Sequence, residues 1–146
     1  MLAAGLTLRH YKSFECCPTL PALSARLARE SPWYDRYGIH VMVAQNAGGE
    51  LILGDSHEYG AMVDPFDKTE IDDLILGYLE TFLNAPGLRI AARWHGVYAK
   101  HPGKHAVVLE PAAGVTVVTG TGGAGMTLSF GLAEQVVCKA LGEAGW

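Results

Sequence analysis

The chain has 146 residues, a formal net charge of −4 and a hydrophobic share of 49%, which is ordinary for one compact domain with its own apolar core. Charged residues make up only 18% of the chain and form no basic block, so a nucleic-acid partner is not expected. No apolar run approaches the roughly 20 residues of a membrane-spanning helix. Neither a signal peptide nor a disulfide framework is predicted, because the amino terminus lacks a basic region and the three cysteines show no Cys-x-x-Cys spacing. A cytoplasmic protein is therefore expected.

The first half of the chain predicts a strand, a helix and a hairpin. Residues 7–14 are strand-like, and leucines at helical spacing predict a helix over residues 20–29. Residues 37–44 place three β-branched residues on one face. With residues 50–54 and the glycine-containing turn at 46–49, they predict a β-hairpin.

The clearest helix is predicted over residues 68–83. Its apolar residues recur at offsets 0, 3, 4, 7, 8 and 11 from Ile71, as on one face of an amphipathic helix. Asp67 and Glu70 have the spacing of a capping box at its start. We therefore expect this helix to be closed at its amino end by side chains.

The second half of the chain ends in a strand, a glycine-rich loop and a helix. A strand is predicted at 88–98, a second hairpin at 106–109 and 115–119, and a last helix at 126–141. The predicted fold class is α+β, with a mixed or antiparallel sheet of hairpins flanked by about three helices. No internal repeat or linker divides the chain.

Glycine is the compositional outlier, with 18 residues against a usual share of about 7%. Residues 120–125 read Gly-Thr-Gly-Gly-Ala-Gly, the G-x-G-x-x-G spacing between a strand and a helix. Such a turn offers free backbone N–H groups and a positive helix end to an electron-rich ligand. The dinucleotide fingerprint itself also needs a second strand with an acidic residue, and none is predicted here. A glycine turn that only packs the helix onto the strand is the alternative.

Three segments together resemble a known family. Residues 54–60 (GDSHEYG), 94–101 (WHGVYAKH) and 119–134 (TGTGGAGMTLSFGLAE) are similar to the C-terminal part of the FAD-dependent oxidoreductase superfamily of D-amino-acid oxidase, glycine oxidase and sarcosine oxidase. They are most similar to a bacterial subgroup associated with phosphonate use. The resemblance implies that residues 1–110 form part of a substrate-binding domain. Residues 111–146 would be the strand-loop-helix that returns to the FAD domain, and the amino-terminal Rossmann part that binds the FAD pyrophosphate would be missing.

The resemblance also implies which residues form the site. His57, His95 and Tyr98 would contact the substrate, with His57 orienting or deprotonating an amine; a solvated turn histidine is the alternative for His57. The residues implied to line the pyrimidine end of the flavin are Gly120, Gly122, Gly123, Ala124, Gly125, Met126 and Thr127.

Two departures from the family pattern bear on the substrate and the electron acceptor. Tyr98 stands where glycine and D-amino-acid oxidases have an arginine that pairs with the substrate carboxylate, and a phenol does not replace that fork. Arg9, Arg93 and Lys100 are candidates to bind an anionic group such as a phosphonate, with exposed basic residues as the alternative. Ile52 lies close to where sarcosine oxidases have an oxygen-activating lysine, which leaves the acceptor open.

The resemblance implies an FAD-dependent enzyme that moves a hydride from the C–H beside a substrate nitrogen to the flavin, giving an imine. The expected partners are a small-molecule amine and either the missing amino-terminal half or a second copy of the chain. A non-catalytic interaction domain or truncated remnant is the alternative. No metal site is predicted, because His101 and His105 lie in a polar loop without further ligands nearby. Cys16 and Cys17 are predicted to be buried thiols.

Overall fold

A computed structural model describes residues 1–11, 14–62 and 64–143 of the chain. The chain forms two compact units, Met1–Arg93 (unit 1) and Trp94–Trp146 (unit 2). Among the described residues, no helix combines the length and the apolar character needed to cross a membrane. The predicted functional division between residues 110 and 111 rests on the family resemblance and stays a prediction.

Unit 1 consists of a small antiparallel sheet and four helices. Strand β2 lies at the centre of the sheet, between β1 and β3, and its Val43 is paired with Leu2 on one side and Leu53 on the other. The elements of unit 1 are β1 (Leu2–Ala3), α1 (Gly5–His10), α2 (Leu20–Glu30), α3 (Pro32–Arg36), β2 (Met42–Gln45), β3 (Leu51–Gly54) and α4 (Thr69–Glu80).

The core of unit 1 lies between the sheet and its helices. Ile39, Val41 and Val43 alternate along the segment that leads into β2, so that all three point to the same buried face. Leu6 of α1 and Leu79 of α4 are buried with them. Each such side chain removed from water contributes about 1.5–3 kcal/mol, which makes this cluster the main source of stability in unit 1.

Unit 2 is a hairpin followed by one long helix. Strands β4 (Val107–Ala112) and β5 (Val115–Thr119) pair in an antiparallel manner. A short 3-10 turn at Gly122–Ala124 leads into α5 (Gly125–Leu141), which ends at Gly142 in the left-handed conformation. Most of the apolar side chains in β5 and α5 are exposed, and no described residue of α5 is buried. Unit 2 therefore presents apolar surface that its own elements do not cover.

The α+β fold class is confirmed, and so are three predicted helices and both hairpins. The strand predicted at 7–14 is wrong over its described residues, since residues 5–10 form α1 and residues 2–3 pair with one edge of β2. Residues 12 and 13 of this prediction lie outside the described residues. A short strand-like run is compatible with either period, and the burial of Leu6 and Thr7 within a helical turn decides the outcome.

The strand predicted at 88–98 is also wrong, because no described strand pairs with this segment and it has no regular structure. Its apolar side chains are exposed, including Leu88, Ile90 and Trp94. A strand is stabilised by ladder hydrogen bonds and by packing on one face. Residues 88–98 have neither the ladder hydrogen bonds nor the packed face, although their sequence pattern is strand-like.

Two smaller predictions fail as well. Helix α4 begins after Lys68 with no side-chain hydrogen bond at its cap, and Glu70 instead accepts a hydrogen bond from the Tyr37 hydroxyl. Cys16 is exposed and Cys17 is half-buried. The capping box and the burial of the cysteines are therefore both contradicted.

Candidate functional site

Unit 1 brings together three histidines that are far apart in the sequence. His10 ends α1, His40 precedes β2, and His57 follows β3. Backbone hydrogen bonds between His40 and Asp55, in both directions at 3.1 and 2.7 Å, continue the pairing of β2 and β3 beyond the strands. We call His10, His40 and His57, with Asp55, the histidine cluster.

The three rings of the histidine cluster lie close together, with those of His40 and His57 stacked and that of His10 tilted against both. The ring centroids of His10 and His40 are 4.0 Å apart, and those of His10 and His57 are 4.4 Å apart. His40 is only 1% exposed. His57, for which a solvated turn was the alternative, is instead packed into this cluster with its side chain 10% exposed.

Asp55 connects two of the three histidines. Its carboxylate lies 2.9 Å from Nε2 of His40 and 3.6 Å from Nε2 of His57. Partial burial raises the pKa of the Asp55 carboxyl. The hydrogen bond from His40 and the charges of the three histidines lower it by more, so that the pKa lies below its usual value. Asp55 is therefore a carboxylate at neutral pH and orients the His40 ring.

Gly38 allows the close approach of the chain to His57. Its φ is +53°, a conformation that other residues rarely adopt, and a Cβ at this position would lie 2.8 Å from the His57 backbone oxygen. The Gly38 carbonyl lies 3.2 Å from Nδ1 of His57. Because a carbonyl only accepts, this contact places a proton on Nδ1 of His57, and in the neutral imidazole the lone pair then lies on Nε2.

Unit 2 contains the predicted glycine loop, residues 120–127. The loop is held by the segment just before β4: the Gly122 amide donates to the Ala99 carbonyl at 3.2 Å, and the His101 amide donates to the Gly120 carbonyl at 3.4 Å. Lys100 forms an isolated bridge with Thr121. Two of the sequence segments that carry the family resemblance, 94–101 and 119–134, are thus adjacent in the structure.

The amino end of α5 is suited to an electron-rich ligand. Its first turn has no acidic residue, and no side chain caps it within the part of the chain that the structure describes. The first N–H groups of a helix have no partner within the helix and carry partial positive charge. Met126, in this first turn, is 92% exposed. These features fit the oxygen-rich pyrimidine end of a flavin, with Gly122 (φ +60°) keeping the backbone accessible.

The predicted site residues fall into both units. His57 lies in the histidine cluster of unit 1, whereas Tyr98 lies against the glycine loop, its hydroxyl 3.2 Å from where a Gly123 Cβ would be. His95 is exposed in the irregular segment before Tyr98. Their proposed roles toward a substrate stay predictions.

Two of the three candidate anion-binding cations are already ion-paired. Arg9 pairs with Asp35, and Arg93 pairs with Asp72. Lys100 lies along Gly122, with its Cγ 3.4 Å from where a Gly122 Cβ would be.

Comparison with known proteins identifies the family. A family model described as FAD dependent oxidoreductase (DAO) matches residues 11–138, which is most of the chain. The chain belongs to this family of FAD-dependent oxidoreductases. Searches of the curated proteins and of the solved structures find no significant match. The family assignment agrees with the resemblance of the three segments, and it provides a ligand of the kind that the start of α5 fits.

His10, His40 and Asp55 were not predicted as site residues from the sequence. None of them lies at a spacing that defines a known motif, and His40 sits within an apolar alternation that is typical of a core strand. Two residues of the sequence relate to the cluster: Gly38, and Asp55, which lies two positions before His57. Their contribution depends on the register of the β2–β3 hairpin, which the sequence alone does not define.

Proposed function

We propose that this chain supplies the substrate-binding and flavin-contacting part of an enzyme that oxidises an amine or amino-acid-like compound, with an aminophosphonate as one candidate. The observation that carries the proposal is the glycine loop, which leads from β5 into the uncapped start of α5. The FAD family assignment gives that helix end a ligand.

The backbone of the glycine loop would hold the flavin. The residues proposed for this contact are Gly120, Gly122, Gly123, Ala124, Gly125, Met126 and Thr127. FAD, when bound, supplies the hydride acceptor for the reaction. Backbone N–H groups at the start of α5 stabilise negative charge on the reduced ring, in the manner of preorganised donors.

Four side chains are proposed to contact the substrate. His57, with its Nδ1 proton directed to the Gly38 carbonyl, presents a basic Nε2 that can take a proton from an ammonium substrate. Lys100 is proposed to bind an anionic group of the substrate as a point charge. Tyr98, beside the glycine loop, and the exposed His95 are proposed to orient the substrate.

A charge change at Met126 tests the flavin contact. We expect Met126→Glu to weaken FAD binding by at least about tenfold, or about 1.4 kcal/mol, because a carboxylate in the first turn competes with the electron-rich ring. The same change favours the helix itself, so lost binding does not reflect lost folding. The measurement is quenching of FAD fluorescence by the full chain, with circular dichroism as the check on α5.

Met126→Gln is the matched control, since glutamine has nearly the same shape as glutamate and carries no charge. We expect this variant to bind FAD like the native chain. Equal binding by Met126→Glu and Met126→Gln would contradict the flavin contact at α5.

The proposed partner is an amino-terminal FAD-binding half, or a second copy of this chain. Joining the chain to the Rossmann half of a relative should give yellow protein that oxidises an amine when an electron acceptor is added. If the fusion is colourless and inactive although circular dichroism shows that it is folded, that result counts against the proposed function.

The exposed apolar surface of unit 2 also favours a second candidate, a non-catalytic interaction domain. Phe130 is 87% exposed and Val137 is 53% exposed on α5, and uncovered apolar surface tends to associate. Sedimentation combined with FAD titration separates the two candidates. A defined oligomer that does not quench flavin fluorescence favours the interaction domain, whereas saturable quenching favours the oxidoreductase.

A further inference from the structure

We propose that His10, His40 and His57 bind a divalent transition-metal ion, with Zn²⁺ as the best fit, and that Asp55 orients the His40 ligand. The three histidines each offer one ring nitrogen, and these nitrogens all lie within 4.8 Å of one another. The site lies wholly in unit 1 and does not involve the flavin contact proposed in unit 2. It uses the Nε2 lone pair of His57, so His57 does not take a proton from the substrate while an ion is bound.

His40 provides the strongest argument. Its Nε2 lies 2.9 Å from Asp55 Oδ1, while its Nδ1 is buried and makes no hydrogen bond to any residue that the structure describes. A buried nitrogen without a partner costs free energy. If Nε2 donates its proton to Asp55, Nδ1 carries the lone pair that a metal ion needs. In such sites a ligating imidazole usually donates the proton of its other ring nitrogen to a carboxylate.

His57 is oriented in a comparable way. Its Nδ1 lies 3.2 Å from the Gly38 carbonyl, which places the proton on Nδ1 and the lone pair on Nε2. Gly38 keeps the two chain segments close enough for this contact, because a Cβ there would collide with the His57 backbone. Two of the three proposed ligands thus have an acceptor that fixes the tautomer needed for metal binding.

The cluster requires only local ring movement to enclose an ion. Tetrahedral Zn²⁺ with Zn–N distances of about 2.0–2.1 Å needs ligand nitrogens roughly 3.3 Å apart. The candidate nitrogens now lie within 4.8 Å of one another. Rotation of His10 about χ2, which is broad for histidine, with small shifts of His40 and His57 that keep their contacts with Asp55 and Gly38, would bring the nitrogens closer.

The ligand set points to the class of ion. Imidazoles suit Zn²⁺, Cu²⁺, Ni²⁺ and Fe²⁺, whereas Ca²⁺ and Mg²⁺ prefer oxygen. Three protein ligands leave a fourth tetrahedral position for water or an added anion, as in catalytic rather than structural zinc sites. The proposed site is therefore open to an exogenous ligand.

Metal titration of the full chain tests the proposal. After chelator treatment, the chain should take up one equivalent of Zn²⁺ in competition with a chromogenic chelator. Co²⁺ should give the visible absorption bands of tetrahedral coordination. His10→Gln and His57→Gln should each weaken Zn²⁺ binding by at least about tenfold. Asp55→Asn should weaken it by about 10–100-fold, the usual loss when a residue that orients a ligating imidazole is replaced.

The double variant His101→Gln/His105→Gln is the matched control, since it removes two loop histidines of unit 2 and should leave Zn²⁺ affinity unchanged. Circular dichroism establishes that each variant is folded, and the half-buried His10 and His57 are used because His40 is fully buried. A Zn²⁺-induced rise in Tm in the native chain, absent from His57→Gln, gives a second readout. No saturable binding, equal affinity in the native chain and both single variants, or loss of binding in the double variant would each overturn the proposal.

Discussion

In unit 1 the alternating apolar residues Ile39, Val41 and Val43 are covered by helices, whereas in unit 2 the alternating residues of β5 remain exposed. Every buried hydrophobic residue of the described ranges lies in unit 1. The two units have similar sequence patterns but differ in whether a partner element covers the apolar face. The difference teaches that an apolar pattern predicts an element and does not by itself predict a core.

The largest expected effect is a matched pair of leucine truncations. Leu79→Ala in α4 should lower the free energy of unfolding by about 2–5 kcal/mol, because Leu79 is 1% exposed and its removal leaves a cavity. Leu141→Ala in α5, where the leucine is 67% exposed, should change it by less than about 0.5 kcal/mol. Urea unfolding followed by circular dichroism measures both. Similar losses for the two variants would mean that α5 is packed in solution.

Hydrogen exchange gives the next contrast. Amides of the central strand β2, which is paired on both sides, should exchange at least about tenfold more slowly than those of the two-stranded β4–β5 hairpin, a difference of about 1.4 kcal/mol. An isolated hairpin is marginal in water because it lacks a covered face. Mass spectrometry of peptides from the two regions makes the comparison. Equal protection would show that unit 2 acquires a cover, and added FAD should raise protection at the start of α5.

Two helical glycines sharpen the comparison at a smaller scale. Gly77 in α4 and Gly131 in α5 both have open space where a Cβ would be added and lack a positive φ. Alanine at either position should stabilise its helix by up to about 1 kcal/mol. Gly77→Ala should raise the global Tm, whereas Gly131→Ala should raise only the helical signal of α5. A single transition shifted equally by both would mean that the units unfold together.

The smallest expected effect concerns alkaline pH. The Glu58 hydrogen bond raises the pKa of Lys68 against the opposing effect of desolvation, with Glu58 and Asp64 charges adding to the rise. Because the folded pKa is raised, the stabilisation is complete below the unfolded value of about 10.4 and is lost as pH rises through the folded pKa.

Between about pH 8 and about pH 11, the Tm of the native chain should therefore fall more than that of Lys68→Met. Lys104→Met, in an exposed loop of unit 2, is the control and should follow the native chain. If Lys68→Met shows the same alkaline loss as the native protein, the Glu58 pair contributes nothing to stability, as for many surface pairs.

The sequence determined the elements whose signals are long or chemically specific. The helix at α4 follows from apolar residues repeated over several turns, and the two hairpins follow from alternation on either side of glycine-containing turns. The glycine loop and the family followed from segments that contain special residues in a fixed order, and the match over residues 11–138 agrees with them. These features are local, so neighbouring residues suffice to define them.

Only the tertiary structure decided the helix at α1, the unpaired segment 88–98 and the histidine cluster. A short strand-like run is compatible with a helix or a strand, and the choice depends on which edge of the sheet is occupied. His10, His40 and His57 come together because the register of β2 and β3 places His40 opposite Asp55 and because Leu6 fixes α1 on the core. Both causes are contacts between residues distant in sequence, whose free energy no local pattern records.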